Sequence, residues 1–346
     1  MERDKLFGKD INELISVARD NGMPGFGARQ IADWLYKKEI FSIDEMTNLS
    51  KRMREGLSAR FDYGLSAPIK ETASKDGTKK YLFRVLGDKY IETAFIPDRD
   101  RATVCISTQV GCGMGCLFCM TGKQGFQGDL SSNEILNQFR SLPEFNRLTN
   151  IVYMGMGEPL NNIEATLKSL DILTAEWGYG WSPTRITVST VGIKQTIKRF
   201  LEESKCHLAV SLHSPFDNER AELMPIQKSN KIKDILEIIA AHEFGGQRRV
   251  SFEYILLKGI NDTPAHIKEL ARILNKIRCR INLIRLHAIP GSPYVSPDTQ
   301  AMVRFRDALN EKGIIATIRA SRGEDIGAAC GLLSTEELLK TDNKTT

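Results

Sequence analysis

Cys112, Cys116 and Cys119 stand as Cys-x3-Cys-x2-Cys in a stretch with glycine at 111, 113 and 115. Three thiolates can hold three irons of a [4Fe-4S] cluster, whereas a closed cluster takes four cysteines, so this spacing leaves one iron open to a substrate or cofactor. The glycines let backbone fold tightly around such a group, and Phe118 can shield it from water. A structural zinc site is the rival reading; the first histidine in the chain is His207, so its fourth ligand would be Cys105.

A second stretch with chemical capacity is Met154-Gly155-Met156-Gly157-Glu158-Pro159. Its glycines permit close backbone approach, and Glu158 can accept hydrogen bonds from an ammonium group.

These residues need a frame. From Thr103 onward apolar strand patterns (103–108, 150–154, 185–190, 207–212, 249–257, 280–286) alternate with helical ones (132–141, 163–175, 193–201, 232–242, 265–276). Six strand-then-helix repeats predict an α/β fold with parallel strands and right-handed crossovers, a full or partial barrel or an open doubly wound sheet. Loops at the C-terminal ends of such strands carry function. The cysteine loop follows the first strand and the Gly-Glu loop the second. Residues 1–97 read as a smaller unit, with helical faces at Ile11, Leu14, Ile15 and Ala18, at Ile31, Trp34 and Leu35, and at Met53, Leu57 and Phe61, followed by a strand pair over 80–96. Residues 98–340 form the expected core domain, and 341–346 a disordered tail.

The chain has 346 residues, 41% hydrophobic and 26% charged, with net charge +5. That balance fits a globular enzyme and neither disorder nor a membrane span. No apolar run follows Met1-Glu2-Arg3-Asp4-Lys5, so a cytoplasmic protein without signal peptide is expected. Seven cysteines, odd in number and uneven in spacing, fit thiol, metal or redox use better than a disulfide framework. Basic clusters at Lys37-Lys38, at Lys51-Arg52 with Arg54, and at Lys79-Lys80 could track phosphates.

The cysteine loop and Gly157-Glu158 together resemble the radical S-adenosylmethionine (SAM) superfamily. Thr187–Gly192, Val210–Pro215, Glu222–Pro225, Ile281–Arg285 and Ala328–Gly331 narrow the resemblance to the RlmN/Cfr family of 23S rRNA adenine methyltransferases, over nearly the whole chain. The resemblance implies a partial (β/α)6 barrel with a small N-terminal helical accessory domain and hairpin that binds RNA. It implies a [4Fe-4S] cluster on Cys112, Cys116 and Cys119, and two SAM molecules per turnover, held by Gly157, Glu158, Ser189, Ser211, Leu212, His213 and His287, the last standing where many members have Asn. Cys330 matches the family's methyl-carrying cysteine, Cys105 the cysteine that resolves a protein–RNA tether by forming a disulfide with Cys330, and Glu92 the proton acceptor. Without the resemblance, Cys330 reads as a packed apolar residue, Cys105 as core and Glu92 as a solvent-facing strand residue.

The implied substrates are C2 of an adenosine in 23S rRNA near the peptidyl-transferase centre and the adenosine 3' to the anticodon of some tRNAs. The implied reductant is a carrier such as flavodoxin or ferredoxin. Cfr-type methylation at C8 of the same rRNA adenosine and a zinc-stabilised RNA-binding module are the alternatives.

Overall fold

The computed structural model describes residues 3–335; the tail expected at 341–346 and the last residues of the core domain expected to end at 340 lie outside them. One ten-stranded sheet forms the frame, and its spatial order follows the chain. Its strands are β1 (Lys70–Ala73), β2 (Lys79–Val85), β3 (Lys89–Asp98), β4 (Arg101–Cys105), β5 (Asn150–Tyr153), β6 (Ile186–Thr190), β7 (His207–Ser211), β8 (Val250–Leu256), β9 (Cys279–Arg285) and β10 (Ile315–Ile318).

From β4 to β10 every pairing is parallel. Helices Ser132–Arg140, Ile163–Thr174, Lys194–Glu203, Ile232–Ala241 and Pro264–Leu274 fall where the periodicity puts them. A further helix, Thr299–Glu311, and β10 add a repeat to the six legible in the sequence. Helices cover the outer face of the parallel strands, where Ile151, Val188, Leu208, Val210, Phe252, Ile281 and Leu283 are inaccessible to solvent; on β5, β6 and β9 these alternate with partly buried residues such as Val152, Ser189 and Asn282.

The antiparallel strands β1–β3 continue the same sheet, because β3 pairs with β4 from Ala94↔Cys105 to Asp98↔Arg101. The strand pair grouped by sequence with the N-terminal helices is thus hydrogen-bonded into the barrel. Both faces of β3 are covered from Ile91 to Phe95, so Glu92, which alternation alone would send to solvent, is 6% exposed.

Three helices precede the sheet. Ile11–Asp20 begins with a capping box in which Asp10 accepts from the Glu13 N–H and the Glu13 carboxylate accepts from the Asp10 N–H. Leu14, Val17 and Ala18 face its core, whereas Ile15, expected on that face, is exposed. Gly27–Tyr36 buries Ile31 and Leu35, and Lys51–Arg60, capped by Ser50, buries Leu57.

This layer docks on the barrel through rings and backbone. Tyr36 packs against Trp177 and Tyr179 at 5.9 and 5.5 Å between centroids. The Asn133 amide donates to the Phe7 and Gly64 carbonyls. At Gly8, with φ +90°, a β-carbon would meet Asn133 Cα at 2.6 Å, so only glycine permits that approach. Of the basic clusters, Lys79 is tied to Glu71 and Glu144 and Lys80 to Glu92.

Candidate active site

The cysteine loop leaves β4 and closes on itself. The Cys112 N–H donates to the Gly125 carbonyl at 3.1 Å and the Cys119 N–H to the Cys116 carbonyl at 3.2 Å. Gly111 lies so close beneath Gly125 that a β-carbon would sit 1.7 Å from its carbonyl oxygen. Cys112 and Cys116 are buried, and Cys119 is partly so. Cys116 and Phe118 pack with Val191, Leu223, Met224, Ile255 and Leu257 in an apolar cluster of their own.

The three thiols open into one cavity at the C-terminal ends of the parallel strands, which also receives Gly157, Glu158, Ser189, Ser211, His213 and Cys330. Glu158 is 2% exposed. Its two oxygens accept from the Leu160 and Val191 N–H groups at 3.0 and 2.9 Å, and its own N–H donates to Gln109 Oε1 at 2.8 Å. Burial raises the carboxyl to about 7 against the lowering effect of the Thr190 hydroxyl and those N–H groups. A cation arriving in the cavity would restore the charged form. Gly157 has φ +98°, and a β-carbon there would collide with Gln109 at 2.5 Å.

His213 is held in the left-handed region at φ +56°. The Asn261 amide donates to its carbonyl at 2.6 Å, and its Nδ1 accepts from the Ile255 N–H at 3.0 Å. Nδ1 as acceptor puts the proton of the neutral ring on Nε2; burial, then Arg220, pushes the imidazole down to about 3. The ring stands edge-on to Phe118 at 4.7 Å. Leu212, in contrast, is fully buried and lines no wall of this cavity: its N–H donates to Glu253 O and its carbonyl accepts from Arg220.

A second chamber adjoins the first and shares Cys119, Met154, Gly155, Arg319 and Cys330 with it. Cys105 and His287 line this chamber and not the first. Cys105 packs with Ala94 and Ala328; burial, then Cys330, raises its thiol to about 12. His287 Nδ1 lies 3.1 Å from Glu324 Oε1 but out of line for a hydrogen bond. Glu92 lines neither chamber. It sits two residues before Ala94, the register partner of Cys105, with its carboxylate 2.8 Å from Lys80 Nζ and accepting from the Ser334 N–H at 3.0 Å.

Three charged groups at this mouth escape sequence reading. Arg319 lies between the chambers, hydrogen-bonded to Met154 Sδ at 3.3 Å and 3.4 Å from Glu253 Oε2; Cys330 foremost, then Glu253 and Cys105, hold it in its charged form. Glu253 is buried and also accepts from Asn282 and Ser251. Arg220, fully buried, donates to the Val191, Ser211 and Leu212 carbonyls and to Gln227, tying together the loops after β6 and β7. Single charges have no spacing to betray them.

Residues 106–274 match the Radical SAM superfamily, and residues 5–62 the ribosomal RNA large subunit methyltransferase N-terminal domain. A Bacteroides fragilis protein named "Probable dual-specificity RNA methyltransferase RlmN" is 55% identical over 335 residues, 97% of either chain. The "Dual-specificity RNA methyltransferase RlmN" of Desulfotalea psychrophila is 43% identical over 98% of this chain and 97% of its own. This chain belongs to the RlmN family. A crystal structure of a radical SAM methyltransferase from Sphaerobacter thermophilus superposes with TM-score 0.88 at 40% identity, covering 95% of this chain and 99% of that one. The RlmN fold is therefore that of a radical SAM methyltransferase, and membership of that superfamily carries a [4Fe-4S] cluster and SAM with it.

The RlmN donor set fits both groups. Three thiols face one cavity, the hydroxyls of Ser189 and Ser211 there have no protein partner among the described residues, and one buried carboxyl waits for a cation. No group of three His, Cys, Asp or Glu among the described residues is close enough to hold a single metal ion, and Cys105 stands with Cys330 in the other chamber. No helix among the described residues is long and apolar enough to cross a membrane.

Proposed function

We propose that this enzyme methylates C2 of an adenosine in 23S rRNA and of the adenosine 3' to the anticodon of some tRNAs, in the cytoplasm, with electrons from a flavodoxin- or ferredoxin-like carrier and two SAM molecules per turnover. The observation that carries the reading is the shared wall at Cys330: this exposed cysteine lines both the chamber of the three loop cysteines and the chamber of Cys105. Cys112, Cys116 and Cys119 hold the cluster, and Glu158, Ser189, Ser211 and the Nε2–H of His213 line the pocket for SAM. When bound, these groups supply a methyl donor and one-electron chemistry.

The need for that chemistry follows from the substrate. C2 of adenine lies between two ring nitrogens and is electron-poor, so an electrophilic methyl cannot be passed to it directly. Cys330 instead takes the methyl in a polar step: its thiol gives up a proton, its sulfur bonds to the methyl carbon, and the bond from that carbon to the donor's sulfonium sulfur breaks, with a neutral thioether leaving. Its place on the shared wall lets that methyl meet the base. Once the carbon is joined to the base, the base's ring proton passes to Glu92. Attack by the Cys105 sulfur on that of Cys330, with loss of the Cys105 thiol proton, then forms a disulfide; the electron pair of the broken S–C bond stays on the carbon, which takes up a proton to become the methyl group, and the odd electron of the adduct would go back to the bound one-electron group. His287, which lines the Cys105 chamber, would contact SAM from that side.

The test compares RNA from turnover by the wild-type enzyme and by Cys330→Ala, digested to nucleosides and resolved by mass spectrometry against 2-methyladenosine and 8-methyladenosine standards. The 2-methyl product from wild type alone is expected. The 8-methyl product, or methylation by Cys330→Ala, would overturn the assignment.

A further inference from the structure

At the end of the barrel away from the active-site mouth, the starts of β8, β9 and β10 surround a concavity of about 350 Å³, within the about 300–1,000 Å³ of small-ligand sites. Strand register builds it. Val250 pairs with Cys279, Ser251 with Arg280 and Arg280 with Ile315, which brings Arg249, Arg278 and Arg280 to adjacent strand starts.

Four arginines line the hollow and no acidic residue does. One of them, Arg248, is structural: it donates to the Cys206 and Leu201 carbonyls and lies over the Phe200 and Phe244 rings. The other three are exposed, and among the described residues their side chains have neither a hydrogen bond nor an ion pair. Elsewhere on the barrel surface Arg199, Arg272 and Arg306 each hold a neighbouring carboxylate. Three guanidiniums held together without a counter-charge raise the local positive potential, and their planar forks match phosphate oxygens two at a time.

We propose that this hollow is a phosphate-binding site, and that its ligand is RNA backbone remote from the adenosine being modified; the RNA part rests on the proposed function. Seven-residue β9, at about 3.3 Å per residue, puts the hollow about 20 Å from the mouth. An RNA held at both must extend at least that far from the target adenosine around the barrel, so the site reads the size of the RNA and not its sequence.

The experiment compares the wild-type holoenzyme with Arg249→Gln/Arg278→Gln/Arg280→Gln and with the corresponding triple Lys variant, after equal thermal midpoints show that all are folded. Affinity for a 23S rRNA transcript is followed against salt, beside a short single-stranded oligonucleotide carrying the target adenosine. The Gln variant is expected to lower the salt slope for the transcript by about 2–3, one counterion per lost contact, with no change for the oligonucleotide or for SAM cleavage without RNA; the Lys variant should keep the slope. An unchanged transcript slope overturns RNA as the ligand. Tripolyphosphate binding, by calorimetry, distinguishes the source: binding lost in the Gln variant while the RNA slope stays unchanged keeps the phosphate site and replaces its ligand by a free polyphosphate. No tripolyphosphate binding together with no slope change overturns the site. Wild-type enzyme that binds neither RNA overturns the proposed function instead and leaves the tripolyphosphate result standing.

Discussion

Two sets of thiols meet at one barrel mouth and are built by opposite means. Cys112, Cys116 and Cys119 belong to a single loop whose own hydrogen bonds shape it. Cys105 ends a central strand and Cys330 lies on the segment after the last strand, and it is the folded sheet that brings them to one chamber, with the half-buried Arg319 beside them. A ligand set for a preassembled inorganic group can be local, because the group itself fixes the distances. A pair of sulfurs that must act on each other and on a substrate needs a frame that neither supplies alone.

Breaking the local set should have the largest effect. Cys116→Ala removes a thiolate with no substitute within the loop, and iron content and SAM cleavage should both fall to background; full iron and activity in that protein would sink the cluster assignment. The distant pair fails differently. Cys105→Ala should keep cluster, SAM cleavage and methylation of Cys330, then accumulate RNA covalently attached to protein, seen as a slow band on a denaturing gel. A folded Cys105→Ala enzyme that turns over normally without that band contradicts the resolving role.

Arg319→Gln tests what joins the two sets. It leaves the buried Glu253 carboxylate without its half-buried cation but with the Asn282 and Ser251 donors, a loss of about 1–3 kcal/mol in stability, and adding Glu253→Gln should recover part of it; chemical denaturation of both variants measures the coupling. Additive losses would show that the two charges do not depend on each other.

The smallest effect sharpens the SAM side. The carboxyl of Glu158 is raised from 4.5 to about 7, so the SAM-free fold binds this proton more tightly than the unfolded chain and gives up stability as pH rises from about 4.5 through about 7. Glu158→Gln should remove that part of the pH dependence. The same change deletes a charge-assisted bond of about 1.5–3 kcal/mol, about 10- to 100-fold in SAM affinity. In the wild type that affinity should weaken below about pH 7, as the acceptor is protonated. Equal SAM affinity at pH 6 and pH 8 would remove Glu158 from the ammonium site.

The same contrast governs what the sequence discloses. Spacing reveals the loop cysteines, and the apolar positions of the parallel strands disclose six strand–helix repeats, since the face under the helices takes an apolar residue at every second position. Ile315–Ile318 escapes because four residues are too few for a period. The helix Thr299–Glu311 hides its narrow stripe of Met302, Phe305 and Leu309 among polar residues. Ile15 misleads because four apolar residues fit a helical spacing when three suffice for the face that is buried. Glu92, Glu253, Arg220 and Arg319 carry no pattern at all. Each is held by partners on other elements, near in sequence for Arg220 and far for Glu92, Glu253 and Arg319, and those partnerships exist only once the sheet has formed.

The segment just after Cys330 is sewn to the cysteine loop. The Gly331 carbonyl accepts from the Met120 N–H at 2.8 Å, the Leu333 carbonyl from the Thr121 hydroxyl at 2.6 Å, and Thr335 exchanges hydrogen bonds with Gln124. During synthesis these partners leave the ribosome long after the thiols of the loop have emerged, about two hundred residues further along the chain. The wall around Cys119 therefore stays open until that segment has been made. A nascent chain cut short of Gly331 keeps every thiol of the loop and lacks the latch that shuts it.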